Sequence, residues 1–232
     1  MKILVFSAHP DDAETGAGGF CLKASRAGHD VLVIHISKEV QGRTYDGVPE
    51  SAVRVEEARQ AAKVLGVKVT FLDYLMAECP VTTESSRVVA ELIEREDPRL
   101  VLTQWPVDTH PDHQVVGVLP LRHYIYDRPY DLGFYEVYTG IQTLSFTPNR
   151  WLDIADVIEL KEKAIMCHVS QNPQAQVDRH RKMSTWRGME MRLEQCEAFH
   201  MLGSTNVFDE IFPTRAAFAP SGGFHPIRGR QP

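Results

Sequence analysis

Four short apolar runs mark the first half of the chain, at residues 2–8 (KILVFSA), 30–37 (DVLVIHIS), 67–74 (VKVTFLDY) and 99–106 (RLVLTQWP). In the second run Val31 and Val33 point one way and Leu32 and Ile34 the other, so both faces are apolar. Strands apolar on both faces belong in a parallel sheet covered on each side, not in a half-exposed antiparallel one. Between the runs, residues 18–28, 51–66 and 82–97 carry helical patterns. Ser51 is placed to cap the second of these and Gly66 to end it. Thr82 or Thr83 stands near the start of the third, and Pro98 lies beyond its end. Strand alternating with helix predicts an α/β fold, a parallel sheet flanked by helices on both faces.

The second half is less regular. Residues 132–140 and 149–156 read as strands, and 156–168 and 178–201 as helices. The last stretch, 212–232, is rich in Pro, Gly and Arg and is expected to be an extended or disordered arm on a single domain spanning 1–211. The polar, Gly-bearing segment after the second strand (KEVQGRTYDGVPES) is too long for a simple turn, and such loops often carry function.

Composition narrows the class. The chain has 232 residues, 43% hydrophobic and 24% charged, enough for one domain with a sizeable core. A net charge of −6 gives no general attraction for nucleic acid. The short basic cluster 179–183 (RHRKM) reads as a solvated helix face. No apolar run approaches the ~20 residues that span a bilayer. The opening ILVF is too short for the core of a signal peptide, so a cytoplasmic location is expected. Cys21, Cys79, Cys167 and Cys196 form no CxxC pair and are expected to be free thiols.

Chemistry gathers where two strands end. His9-Pro10-Asp11-Asp12 follows the first, and His110-Pro111-Asp112-His113 follows the fourth. Ligands of open parallel sheets bind at the carboxyl ends of the strands. Residues three apart share one side of a helical turn, so the two loops together offer His9, Asp12 and His113 to one metal ion. Two imidazoles and a carboxylate leave a coordination position open, the pattern of a catalytic zinc site. A dication lowers the pKa of nearby water toward ~7, so Asp11, too crowded to share the ion, suits the role of general base. His110 can stabilise the oxyanion of a tetrahedral intermediate, and Asp112 is placed to hold His110 by a hydrogen bond and favour its charged form. Either Asp11 or Asp12 can instead cap the following helix. His29, His35, His123, His180 and His225 show no partner pattern and read as structural; His168 and His200 are possible supports for the site. TGAGGF (15–20) does not fit the dinucleotide spacing GxGxxG and reads as a tight loop feeding a helix.

AHPDDAE with GAGG, the RVEEARQAAKVLGV helix, HPDH after TQWP, and HVSQ near residue 168 occur in an order that resembles the PIG-L/LmbE-like zinc deacetylases, over about residues 1–202. The resemblance implies a Rossmann-like fold and removal of N-acetyl groups from N-acetylglucosamine derivatives. It implies zinc on His9, Asp12 and His113, Asp11 as general base and His110 at the oxyanion, matching the residue-level assignments. It adds Glu14 as a support of the loop and Arg54 as a substrate-binding candidate, whose bland alternative is an exposed helix arginine. Two departures stand out. Met76 occupies a place where many members carry an acid that can bind sugar hydroxyls, and the loop after the second strand, SKEVQGR, differs from the usual TRGExG-like form. An apolar side chain in place of a hydroxyl ligand shifts substrate preference where the site expects hydrogen bonds.

The expected function is therefore zinc-dependent hydrolysis of an N-acyl group, N-acetyl above all, on a small-molecule amino sugar or its conjugate, with a homo-oligomer possible. Two alternatives remain open at this point. A non-haem iron(II) oxygenase uses the same two-histidine, one-carboxylate triad with Fe2+. A catalytically silent sugar- or partner-binding protein can keep the scaffold.

Overall fold

A computed structural model describes residues 1–39, 42–127, 130–202, 207–212 and 216–218. Its strands are β1 (Lys2–Ser7), β2 (Asp30–Glu39), β3 (Thr44–Tyr45), β4 (Val48–Pro49), β5 (Lys68–Leu75), β6 (Leu100–Gln104), β7 (Asp131–Tyr135), β8 (Arg150–Asp153), β9 (Cys196–Met201) and β10 (Ala216–Phe218). Its helices are α1 (Asp12–Arg26), α2 (Glu50–Leu65), α3 (Thr83–Glu96), α4 (Pro111–Asp127), α5 (Ile158–Ile165), α6 (Pro173–Met191) and α7 (Val207–Ile211).

Eight strands form one sheet in the order β10-β8-β9-β7-β6-β1-β2-β5, and β3 and β4 make a separate hairpin. Strands β5, β2, β1, β6 and β7 pair in parallel, while β9 runs antiparallel to β7 and β8. The alternating residues of β1 explain why both faces must be covered. Ile3 and Val5 pack in the core under α1, α2 and α5, and Leu4 and Phe6 in the core under α3 and α4. The α/β architecture expected from the strand pattern is the one observed. From β1 the chain winds outward to β2 and β5, then returns to lay β6 on the other side of β1. The loops leaving β1 and β6 thus meet at the point where the winding reverses, the usual place for a ligand in such sheets.

The second and third helices fall near their expected bounds, with a difference at the start of α2. Glu50, not Ser51, opens α2, and Pro49 occupies its cap without a side-chain bond; Gly66 ends it in the left-handed conformation, as expected. Thr82 caps α3 through a reciprocal capping box with Ser85.

Two expected helices are corrected. The first begins at Asp12 rather than 18, because its opening turn belongs to the loop that follows β1. It breaks at Ala17 (φ −137°), and the break exposes fresh backbone donors. Glu197 on β9 accepts them, from Gly19 N–H and Phe20 N–H at 2.7 Å each, and also accepts from Lys161 Nζ at 2.8 Å. The glycines of TGAGG serve this packing. A Cβ on Gly16 would stand 2.5 Å from Tyr135, and one on Gly19 2.5 Å from Ile154. The helix expected over 178–201 ends at Met191; Arg192 turns the chain in the left-handed conformation, and Cys196–Met201 is a strand. That strand is buried on both faces, so its sequence lacks the alternation that marks a strand. Of the arm expected over 212–232, Phe212 packs on Phe20 and Phe208, and Ala216–Phe218 pairs with β8; residues 213–215 and 219–232 lie outside the described residues. The four cysteines are free, as expected.

The Glu197–Lys161 pair is buried on both sides, with each side chain 3% exposed. Glu197→Ala leaves an ammonium and two backbone donors without their acceptor, so it is expected to cost ~3–5 kcal/mol of stability. Urea unfolding measures this, and a loss below about 1 kcal/mol contradicts the bracing role.

Candidate active site

The loop after β1 is pinned before it turns. Ala8 N–H donates to Gln104 Oε1 at 2.8 Å, and Ser7 Oγ donates to His9 O at 2.7 Å. Asp11 then adopts φ 122°, a left-handed value that costs a non-glycine residue ~1–3 kcal/mol and tends to mark functional sites. Neither acid caps α1. Asp11 holds the cap position without a side-chain bond, and the Asp12 carboxylate turns back to accept from His9 N–H at 2.9 Å.

That same oxygen, Asp12 Oδ2, lies 3.2 Å from His9 Nδ1 and 3.3 Å from His113 Nε2. The far nitrogens of both rings face carboxylates, His9 Nε2 at 2.9 Å from Asp112 Oδ2 and His113 Nδ1 at 3.3 Å from Asp108 Oδ2. A carboxylate on the far nitrogen fixes the ring and its tautomer and leaves the near nitrogen free to bind an ion. The two loops of the sequence pattern therefore converge, with their free donors turned inward.

Asp112 does not hold His110 through its carboxylate, which corrects the sequence reading. Its Oδ2 is taken by His9 and by Ala77 N–H at 2.7 Å. What touches His110 is the Asp112 backbone N–H, which donates to His110 Nδ1 at 3.2 Å. An accepting Nδ1 places the proton of neutral His110 on Nε2. Nor is His110 held charged. Burial lowers its pKa, and the neighbouring His9 and His113 lower it further.

The electrostatics favour a cation between the loops. Burial alone would lower the pKa of His9, yet Asp112 and Asp12 raise it. Burial likewise opposes charge on His113, but Asp12 and Asp108 carry its pKa up to about 10. Burial pushes Asp12 upward, and the two imidazoles overcome this and hold it well below the ordinary carboxylate range. Positive charge is drawn to this point, by protons where no metal is bound. Asp11 differs. Burial, with the adjacent charge of Asp12, raises its proton affinity, and Arg54 only partly offsets the rise.

Arg54 is buried, not the exposed helix arginine of the bland alternative. It donates from Nη2 to Pro10 O at 2.8 Å and stands 3.5 Å from Asp11 Oδ1, while Gln176 Nε2 donates to Asp11 Oδ2 at 3.1 Å. The strained carboxylate is thus clamped on both oxygens. Glu14 faces away from the cavity toward buried His168, 3.6 Å from its Nε2. His200 bonds Thr147 O and packs on Trp105, and it does not line the cavity.

Around these groups opens a cavity of about 260 Å³. His9, Asp11, Asp12, His110 and His113 line its floor, and Arg54 and Met76 lie in its wall. Sequence reasoning missed Asp108, Gln142, Gln176 and Tyr138, and it read the cavity-lining His180 as structural. Asp108 had a signal, an acid two residues ahead of HPDH; Gln176 had none, since it reaches Asp11 from a helix 165 positions away.

The donor set fits a metal. Tetrahedral zinc with bonds of ~2.0–2.1 Å has ligand atoms ~3.3–3.4 Å apart, close to the Asp12–imidazole separations. Among the described residues His9, His110 and His113 bring one donor from each within 4.8 Å of the others, an alternative to the set that includes Asp12. It is the weaker set, because ligation through His110 Nε2 would move its proton to the Nδ1 that accepts from Asp112. Because Asp108 orients His113, Asp108→Ala is expected to weaken metal binding ~10–100-fold. Competition against a chelator measures this, and unchanged affinity contradicts that role.

Residues 4–123 match the PIG-L family, described as GlcNAc-PI de-N-acetylase. The diacetylchitobiose deacetylase of Thermococcus kodakarensis is 32% identical over 189 residues, covering 75% of this chain and 71% of that protein. Among solved structures, the N,N'-diacetylchitobiose deacetylase from Pyrococcus horikoshii with its inhibitor MPG superposes with a TM-score of 0.76 at 26% identity, over 90% of this chain and 88% of that one. GalB, the 4-carboxy-2-hydroxymuconate hydratase of Pseudomonas putida, gives a TM-score of 0.75 at 21% identity, over 88% and 97% of the two chains. That last likeness shows the fold alone, and a fold hosts more than one chemistry.

Proposed function

The chain belongs to the PIG-L family and is an N-deacetylase; from that premise we propose that it uses a divalent metal, zinc, to remove an N-acetyl group from a small-molecule amino sugar or its conjugate. The observation that carries the metal assignment is the single Asp12 oxygen lying 3.2 Å from His9 Nδ1 and 3.3 Å from His113 Nε2, the latter also 3.3 Å from Gln142 Nε2. His9, Asp12 and His113 would hold the ion. Once bound, it supplies Lewis acidity at the amide carbonyl and lowers the pKa of water.

The chain's own residues supply the rest. Asp11, buried and with raised proton affinity, takes a proton from the attacking water and returns it to the departing nitrogen. Water and amide thereby become acetate and free amine. Gln176 and Arg54 keep the Asp11 carboxylate on its line of approach. The Nε2–H of His110 donates to the carbonyl oxygen as negative charge builds there. Asp112 and Asp108 set the two ligand imidazoles. Glu14 supports the loop from behind through His168.

The deacetylase class displaces the iron oxygenase and silent-binder readings. A cytoplasmic location belongs to the same proposal and is supported by the free cysteines. Among the described residues no helix is long and apolar enough to cross a membrane. The test is release of amine from N-acetylglucosamine and diacetylchitobiose by protein stripped of metal and then reloaded with zinc or iron(II). Loss on stripping and recovery on reloading are expected; turnover indifferent to metal contradicts the proposal.

A further inference from the structure

The inward side of α6 is mostly polar, Val177 and Gly188 apart, where a packed helix ordinarily turns an apolar stripe to the core. Gln176, His180, Ser184 and Arg187 follow one another there at helical spacing. Gln176 bonds Asp11, Ser184 Oγ donates to Gln195 Oε1 at 2.5 Å, and Arg187 donates to both oxygens of Glu136 at 2.6 and 2.8 Å. The His180 ring is the exception. It is 7% exposed and has no hydrogen-bond partner among the described residues. Its nitrogens are not among the side-chain atoms sealed from solvent, so they open onto a cavity where water or a ligand can reach them.

Its position says what kind. With Thr15, His180 lines both the active-site cavity and a smaller chamber of about 20 Å³ behind it, which Lys161 and Glu197 help enclose. Lined by Lys161, Glu197 and Ser184 beside apolar surface, a chamber of that size has room for one water. The ring therefore stands between room for one water on one side and the active-site cavity on the other. Burial, with the charges of Lys161 and Arg179, brings its pKa down to about 3, so the imidazole is neutral and can donate from one nitrogen and accept at the other. Neutral groups that both donate and accept are what the hydroxyls of a sugar match.

We propose that His180 is a specificity-determining residue that hydrogen-bonds a ring hydroxyl of the amino-sugar substrate through one nitrogen and a chamber water through the other. The inference rests on the N-deacetylase reading. A site built to bond a hydroxyl discriminates strongly against an analogue that lacks it.

The test uses metal-loaded protein carrying Asp11→Asn, so that ligand is not consumed, and calorimetric titration with N-acetylglucosamine and its 3-deoxy, 4-deoxy and 6-deoxy analogues. The parent is expected to bind one deoxy analogue at least ~10-fold more weakly than the full sugar. His180→Phe, added to that background, keeps the ring's bulk and should erase that one difference, and His180→Gln should restore part of it. Thermal unfolding checks that both variants are folded. Discrimination unchanged in His180→Phe, or affinity lowered equally for every sugar, overturns the inference while amine release by the wild type leaves the deacetylase reading standing. Failure of the wild type to bind or hydrolyse any N-acetyl amino sugar overturns both.

Discussion

Asp11→Asn lowers kcat by ~10²–10⁴-fold while the protein still binds one equivalent of metal. Asparagine keeps the volume of aspartate and tolerates the φ of 122° better than most residues. It also keeps a carbonyl oxygen for Gln176 to address. What it removes is the ability to take a proton. With the proposed ligands His9, Asp12 and His113 untouched, metal stoichiometry should not change. Steady-state kinetics beside elemental analysis separates the two roles. A kcat within about threefold of wild type would show that another group carries the proton; loss of metal would show that Asp11 is itself a ligand.

His113→Ala has the other large effect. It removes one of three donors and leaves Asp12 and Asp108, both buried, without the imidazole between them. Stoichiometric metal binding and turnover are expected to vanish together. In metal-free protein the change should cost ~1.5–3 kcal/mol, because it removes one charged hydrogen-bond partner from two buried carboxylates that keep their others, His9 for Asp12 and the His110 N–H and Thr143 for Asp108. Urea unfolding of the metal-free variant and dialysis against zinc read these separately. Full metal occupancy in the variant contradicts the assignment of His113, and favours a site built on other donors.

Much of this was legible in the order of residues, for physical reasons. Strands β1, β2 and β6 are buried on both faces, so they appear as unbroken apolar runs. The site lies at the ends of two of them, so its residues sit in compact tetrapeptides rather than scattered singly. β9 was illegible for the same reason that β1 was clear: burial of both faces erased alternation, and without a turn signal ahead of it the stretch continued a helical pattern. Asp112 was found, but with the wrong partner, since sequence adjacency favoured His110 while the fold turns the carboxylate toward His9 from the other loop. Gln176 and His180 depend on α6 crossing over the loop after β1, a tertiary fact that no local spacing encodes. Arg54 was identified by resemblance; burial shows that its side chain is engaged on Pro10 and Asp11.

Crystals of zinc-loaded protein, with anomalous diffraction recorded above and below the zinc edge, put the convergence of the two loops to a direct trial. One peak per chain is expected, within bonding distance of His9 Nδ1, Asp12 Oδ2 and His113 Nε2, with His110 Nε2 beyond bonding distance. A peak ligated by His110 in place of Asp12, or no peak between the two loops at full zinc loading, would contradict the account.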